Sequence, residues 1–346
     1  MKTSHNRQLM LPLTLVCLIA VGWWSTGVLA QAPAGQPTSV NPTASAVKEK
    51  QLLDALKPAG PGIQAVSGRV SIPDKRSGHL IQPAGREWRA ERETTLPRVG
   101  AIAILGTLAA LIVFYLVRGS VKIEGGRSGQ VMTRFNFIER FAHWLTAASF
   151  LALGLTGLNI TFGKSLLLPL LGPNAFASMT QLGKFVHNYG SFAFTLGLVL
   201  MLVLWIKDNI PHPRDLLWLL KGGGILGLHV DARRFNGGQK VIFWAVVLGG
   251  AGLAYTGYNL MFPFAFADVA GMQWLTILHG LIGVILLAVI LAHIYIGTVG
   301  MEGAFEAMGT GQVDLNWAKS HHSMWVDQQR SKAAKSGAKS GAMVAA

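Results

Sequence analysis

One cysteine in 346 residues, Cys17, leaves little room for sulfur chemistry. It lies in an N-terminal stretch with the form of a signal peptide. Lys2 and Arg7 precede an apolar run from Leu9 to about Trp24, and Val28 and Ala30 place small residues three and one before Gln31. Removal of residues 1–30 leaves a mature chain without cysteine. That excludes a disulfide framework, thioether-bound c-type haem and cysteine-held iron–sulfur clusters. Charge is scarce too, at 13% of residues, and acidic residues are the scarcer kind: 16 Asp and Glu against 30 Lys and Arg, a net +14. The bases form no stripe interleaved with aromatics, so the excess does not point to nucleic acid. They cluster instead in particular loops between apolar runs, the pattern of a membrane protein's inner side.

What is abundant is apolar length. Mean hydropathy is +0.41, and several runs exceed the ~18 residues that span a bilayer. The predicted fold is an all-α membrane protein, with five spans in the mature chain. Residues 31–97 form an extracytoplasmic, periplasmic extension. Residues 31–62 are rich in Pro, Ala, Gly, Ser and Thr and read as a disordered linker, with a short helix at 48–57 and an irregular region over 63–97. His79 stands alone there. The first span, within 98–118, carries no ionisable side chain in its apolar run. Residues 131–300 hold the other four spans, at about 135–160, 184–206, 240–262 and 274–298. Arg118, Lys122, Arg127 and Arg134, then Lys207, Arg214, Lys221, Arg233 and Arg234, mark two loops as cytoplasmic. Residues 301–346 read as a cytoplasmic tail. A secreted N-terminus and five spans place the C-terminus inside, in agreement with the loop charges.

Four histidines lie within the apolar spans: His143, His187, His279 and His293. His279 and His293 share the last span, about 21 Å apart along its axis and within about 40° of one face. The direction of each span gives depth. His187 and His279 fall in the outer half, His143 and His293 in the inner half. Ionisable side chains in lipid are expensive and mark function. Two pairs at matching heights, each drawn from two helices, are the geometry of two bis-histidine haem b groups. Zinc would need three or four ligands at one depth, whereas each depth offers two. A proton relay remains open, although no carboxylate accompanies the histidines within the spans. Gly154, Gly157, Gly190, Gly197, Gly280 and Gly283 offer room beside a flat macrocycle, or close helix packing. Arg134, Arg140 and Lys184 are placed for haem propionates, or for the headgroups.

Beyond these features, the stretches RFNFIERFAHW, GKFVHNYG, DNIPHPRDLLWL, RRFNGGQKVIFW, ILHGLIGVILLAVILAHIYIG and WAKSHHSMW, over about 131–327, resemble the gamma subunit, cytochrome b556, of respiratory membrane-bound formate dehydrogenases. The resemblance implies a di-haem four-helix core with the same four histidines as axial ligands to haem iron. It also implies a quinone site at Asn236, Gly238 and Gln239 beside His293. From the residues alone, FNGGQK reads as a turn before a helix. The implied partners are an iron–sulfur beta subunit and a molybdenum or tungsten catalytic alpha subunit, within a higher oligomer of the complex in a bacterial inner membrane. Formate oxidation would then reside on a partner, and this chain would pass electrons to quinone. The N-terminal extension and first span depart from the short four-span form. A cytochrome b subunit of a hydrogenase or thiosulfate reductase, a stand-alone b561-like reductase and a haem-free membrane anchor are the competing readings.

Overall fold

The computed structural model describes residues 85–223 and 230–344, with side chains to residue 335. The expected signal peptide, the extension up to residue 84, the short helix at 48–57, Cys17 and His79 lie outside the described residues. Among the described residues, five helices are long and apolar enough to cross a membrane. They are α1 (Gly85–Arg118), α2 (Phe137–Leu166), α3 (Leu168–Trp205), α5 (Gly237–Met261) and α6 (Val269–Tyr295). A short α4 (Pro213–Leu220) lies between α3 and α5. After α6 come α7 (Ala304–Gly309) and α8 (Leu315–Val344).

α1 is already helical at Gly85, well before the apolar run, so residues 85–97 are helical where an irregular region was expected. Arg89 and Glu93 face each other one turn apart at 3.9 Å, a pairing that supports an exposed helix. Pro97 has no N–H to give the preceding turn, and the helix widens over Glu91–Thr95 just ahead of it. The connection expected at 161–183 is also largely helical. α2 runs to Leu166 and α3 begins at Leu168, and the chain breaks at Gly172 (φ 75°) and Pro173.

α2 packs along α3, α5 along α6 and α3 against α5, which closes a four-helix core; α1 lies on α6. Phe150, Phe194, Leu198, Met201, Val246, Val247 and Leu286 fill its interior. Leucine, isoleucine and phenylalanine side chains on the outer faces remain exposed, as a bundle solvated by lipid requires.

The chain after α6 folds back onto the bundle. β1 (Val131–Thr133) pairs antiparallel with β2 (Gln312–Asp314), so the largely helical described residues carry a two-stranded ribbon. The Arg134 and Phe135 N–H groups donate to the Gly311 carbonyl. Gly311 has φ 86°, and a Cβ there would lie 2.6 Å from the Phe135 carbonyl oxygen, so this close approach admits only glycine. Asp314 accepts from the Ser128, Gly129 and Asn316 N–H groups. Residues 301–326 thus form a fitted cap over one end of the bundle.

Candidate functional site

The two helices that enter from the capped end begin the same way. Asn136 and Asn236 each accept a hydrogen bond from the backbone N–H three residues on. Glu139 and Gln239 answer by accepting from the asparagine N–H. These reciprocal caps satisfy the free N–H groups that open a helix. The likeness continues at a constant offset of 100 residues. Arg134, Phe135, Trp144, Thr156, Gly157 and Asn159 recur as Arg234, Phe235, Trp244, Thr256, Gly257 and Asn259. α2 and α5 are therefore two versions of one helix, each with its own companion, α3 or α6, packed along it. The sequence carries this repeat openly, as RFN and TGxN, yet reading for spans and histidines passes over it.

The bundle brings the four histidines together in two pairs. His187 of α3 and His279 of α6 have ring centroids 6.2 Å apart; so do His143 of α2 and His293 of α6. Metal–imidazole bonds are about 2.0–2.1 Å and the ring nitrogen is about 1.1 Å from the ring centre. Two imidazoles on opposite sides of one metal thus place their centroids about 6.3 Å apart. Both pairs fit a six-coordinate haem iron by this measure. Among the described residues, no three His, Cys, Asp or Glu side chains gather as a metal site.

The pair remote from the cap follows the internal repeat. Thr156 Oγ1 is 2.9 Å from His187 Nδ1, and Thr256 Oγ1 is 2.8 Å from His279 Nδ1. Gly157 and Gly257 follow these threonines, and a Cβ on either would lie 3.5 or 3.2 Å from the histidine Cε1. The pair nearer the cap breaks the repeat, since Phe243 stands where His143's counterpart would be. His143 Nδ1 is buried without a hydrogen-bond partner.

The other glycines divide. A Cβ on Gly197 would strike Thr146, one on Gly154 would strike Leu287, and one on Gly280 would strike Leu96 of α1. These three let helices approach one another rather than making room for a macrocycle. The arginines expected at propionates are engaged elsewhere. Arg134 is buried and donates to the Arg234 carbonyl and to His322 Nε2. Arg140 donates to the Met308 and Gly309 carbonyls. Both hold the cap on. Lys184 is exposed near the opposite end.

Asn236, Gly238 and Gln239 sit together at the start of α5. The side-chain oxygens of Asn236 and Gln239 are taken up in the helix cap, and a Cβ on Gly238 would meet the Trp218 ring at 2.8 Å. A shallow cavity lies beside this loop, lined by His212, Arg214, Trp218, Arg233, Gly237 and Lys240.

Residues 134–311 match the family model described as prokaryotic cytochrome b561. The chain belongs to that family. The match takes in the four-helix core and α7, and leaves α1 and α8 outside. A b561-family chain whose described residues include five helices long and apolar enough to cross a membrane is a membrane cytochrome b, and the family implies haem b. Three curated relatives are similar to more than half of the chain. The cytochrome b556(Fdn) subunit of the nitrate-inducible formate dehydrogenase of Escherichia coli K12 is 30% identical over 203 residues, 57% of this chain and 90% of that protein. The cytochrome b556(fdo) subunit of formate dehydrogenase from the same strain is 27% identical over 205 residues, 58% of this chain and 93% of that protein. The formate dehydrogenase cytochrome b556 subunit of Haemophilus influenzae is 26% identical over 199 residues, 55% of this chain and 80% of that protein.

Proposed function

We propose that this b561-family chain is the membrane cytochrome b subunit of a respiratory formate dehydrogenase, holding two b haems and reducing quinone. The observation that carries the reading is the pair of 6.2 Å imidazole separations, one at each height of the core. His187 and His279 hold one haem, His143 and His293 the other. Bound haems supply one-electron carriers at two depths, between an iron–sulfur partner at the outer face and quinone at the inner face. The names of the relatives support formate as the donor substrate of the complex, oxidised on a separate catalytic subunit.

Topology follows the loop charges. The cap end carries Arg127, Arg134, Lys207, Arg214, Arg233 and Arg234 and faces the cytoplasm; the α2–α3 and α5–α6 connections face the periplasm. The quinone site lies at Asn236, Gly238 and Gln239. Both amide oxygens are committed to the cap, so the Asn236 and Gln239 NH2 groups are the atoms left to donate to a quinone carbonyl. Their position at the charged inner surface gives a reduced quinone short access to cytoplasmic protons.

The test is a dithionite-reduced minus oxidised spectrum of the purified chain, with haem quantified as the pyridine adduct. Two b haems per chain are expected, falling to one in His187→Ala and in His143→Ala. One or none in the native chain overturns the assignment of the pairs. Mass spectrometry of the gently extracted complex checks the donor. A hydrogen- or thiosulfate-metabolising partner in place of a formate-oxidising one would overturn the formate assignment alone.

A further inference from the structure

The two threonines that touch imidazoles do so with their own proton already committed. Thr156 Oγ1 lies 2.8 Å from the Ala152 carbonyl oxygen, and Thr256 Oγ1 lies 2.7 Å from the Gly252 carbonyl oxygen. A carbonyl only accepts, so each hydroxyl proton points back into its own helix and the oxygen lone pairs face the ring. Nδ1 of His187 and of His279 must then carry the ring proton and donate it. This fixes one tautomer, with the Nε2 lone pair free to bind iron. The adjacent glycines keep the Cε1 edge of each ring clear, so ring angle and tautomer are set together. At the inner pair His143 lacks this support, for its Nδ1 is buried with no partner.

We infer that Thr156 and Thr256 are positioning residues that hold His187 and His279 as Nε2 ligands of the outer haem and make that haem the harder of the two to reduce. The inference rests on the two-haem reading. An Nδ1–H that donates a hydrogen bond makes the imidazole more basic. A more basic ligand pushes more electron density onto iron and stabilises its oxidised state. Two such bonds at the outer site and an unbonded His143 at the inner site make the potentials rise along the inward path of an electron, from the outer haem to the inner one. The repeat explains how both outer ligands come to be treated alike: each threonine stands at the same place in its helix pair.

The experiment is a spectroscopic redox titration of the full-length chain, with the low-spin electron paramagnetic resonance signals as a second readout. Thr156→Val and Thr256→Val keep shape and lose the oxygen. Thr156→Ser and Thr256→Ser keep the oxygen and lose the methyl. Thr146→Val is the control, because Thr146 bonds only its own helix carbonyl at Ala142. The native chain should titrate in two one-electron steps. Each valine variant should keep both haems and raise the lower step alone, increasing its reduced-to-oxidised ratio at fixed potential by about three- to tenfold, where tenfold is 59 mV. The serine variants and Thr146→Val should match the native chain. Loss of one haem in a valine variant, with retention in its serine counterpart, also supports the hydrogen-bonding role. Valine variants that titrate as native, a shift confined to the upper step, or serine variants as damaged as valine would overturn it. A native chain with fewer than two haems would instead sink the two-haem reading before any variant is compared.

Discussion

Arg134 and Arg234, 100 residues apart, each donate a hydrogen bond to the other's backbone carbonyl, at 2.7 and 3.2 Å. The exchange joins the starts of the two related helices α2 and α5, with Phe135 and Phe235 packed at 5.9 Å beside it. The two arginines then diverge. Arg134 turns into the cap, against Trp317 and Trp325. Arg234 reaches Glu139 at 2.6 Å and Asp208 at 2.9 Å. One seam therefore joins both halves of the bundle to the C-terminal cap.

Arg234→Ala should destabilise the fold by about 3 kcal/mol, because it strands Glu139 without its cation. The Glu139 side chain is 6% exposed and keeps only the Trp205 indole N–H and the Asn136 N–H. Adding Glu139→Gln to that variant should recover part of the loss. Thermal unfolding of the detergent-solubilised chain, followed in a double-mutant cycle, measures the coupling. Strict additivity of the two changes would contradict the pairing.

Acid should loosen the cap. His322 is buried, and its Nδ1 donates to the Arg233 carbonyl while its Nε2 accepts from Arg134. Burial, with the Arg134 charge added to it, holds the His322 pKa well below the usual imidazole value. Burial also pushes the Arg134 guanidinium down to about 9, which leaves it charged at neutral pH. Since the folded pKa of His322 is the lower one, the unfolded chain binds the extra proton. His322 therefore contributes stability that is full above the ordinary imidazole pKa of about 6.5 and declines as pH falls below it. Hydrogen exchange over residues 315–330, corrected for the intrinsic pH dependence, should speed up between pH 7.5 and 5.5. His322→Gln should flatten that dependence.

The spans and the four histidines were legible in the sequence because both are costly in lipid: a run of ~20 apolar residues has one use, and an imidazole within it needs a reason. Direction and depth then sorted the histidines, and the structure brings together the pairs that depth suggested. The cap was not legible. WAKSHHSMW gains its meaning only when Trp317, His322 and Trp325 close on Arg134, a contact spanning 188 residues. The roles of the glycines were equally hidden, since spacing alone does not say whether a helix face meets another helix or an imidazole. Arg134 and Arg140 misled for a related reason. A cation near a membrane surface suits a propionate, and only tertiary structure shows that backbone carbonyls have claimed it.

The glycines should separate by readout. Gly257→Leu would push side-chain atoms into the space before the His279 Cε1 edge, from a Cβ already at 3.2 Å. Haem content should fall from two to one per chain. Gly197→Ala instead sets its Cβ 3.0 Å from the Thr146 backbone nitrogen and 3.1 Å from its Cα. Backbone cannot yield cheaply, so overpacking should lower stability by about 1–3 kcal/mol while folded protein retains both haems. Haem quantified on the folded fraction, beside the unfolding midpoint, distinguishes the two outcomes.

Asn236 and Gln239 pose a sharper problem, because alanine at either position breaks the helix cap and would cost about 0.5–2 kcal/mol whatever the loop binds. Asn236→Asp and Gln239→Glu avoid this. Each keeps the oxygen that accepts from the backbone, at 2.9 and 3.1 Å in the native pair, and removes the NH2 group. Added negative charge at a helix N-terminus is also favourable. Both variants should therefore fold, keep the native stability within about 0.5 kcal/mol and bind two haems. Quinone reduction should nonetheless fall about tenfold or more, since a donor to the quinone carbonyl becomes a repelling acceptor. Dithionite-reduced protein mixed with a soluble menaquinone analogue, with haem reoxidation followed in a stopped-flow instrument, gives the rate directly. Native rates in both variants would move the quinone away from this loop and leave FNGGQK as a helix cap alone.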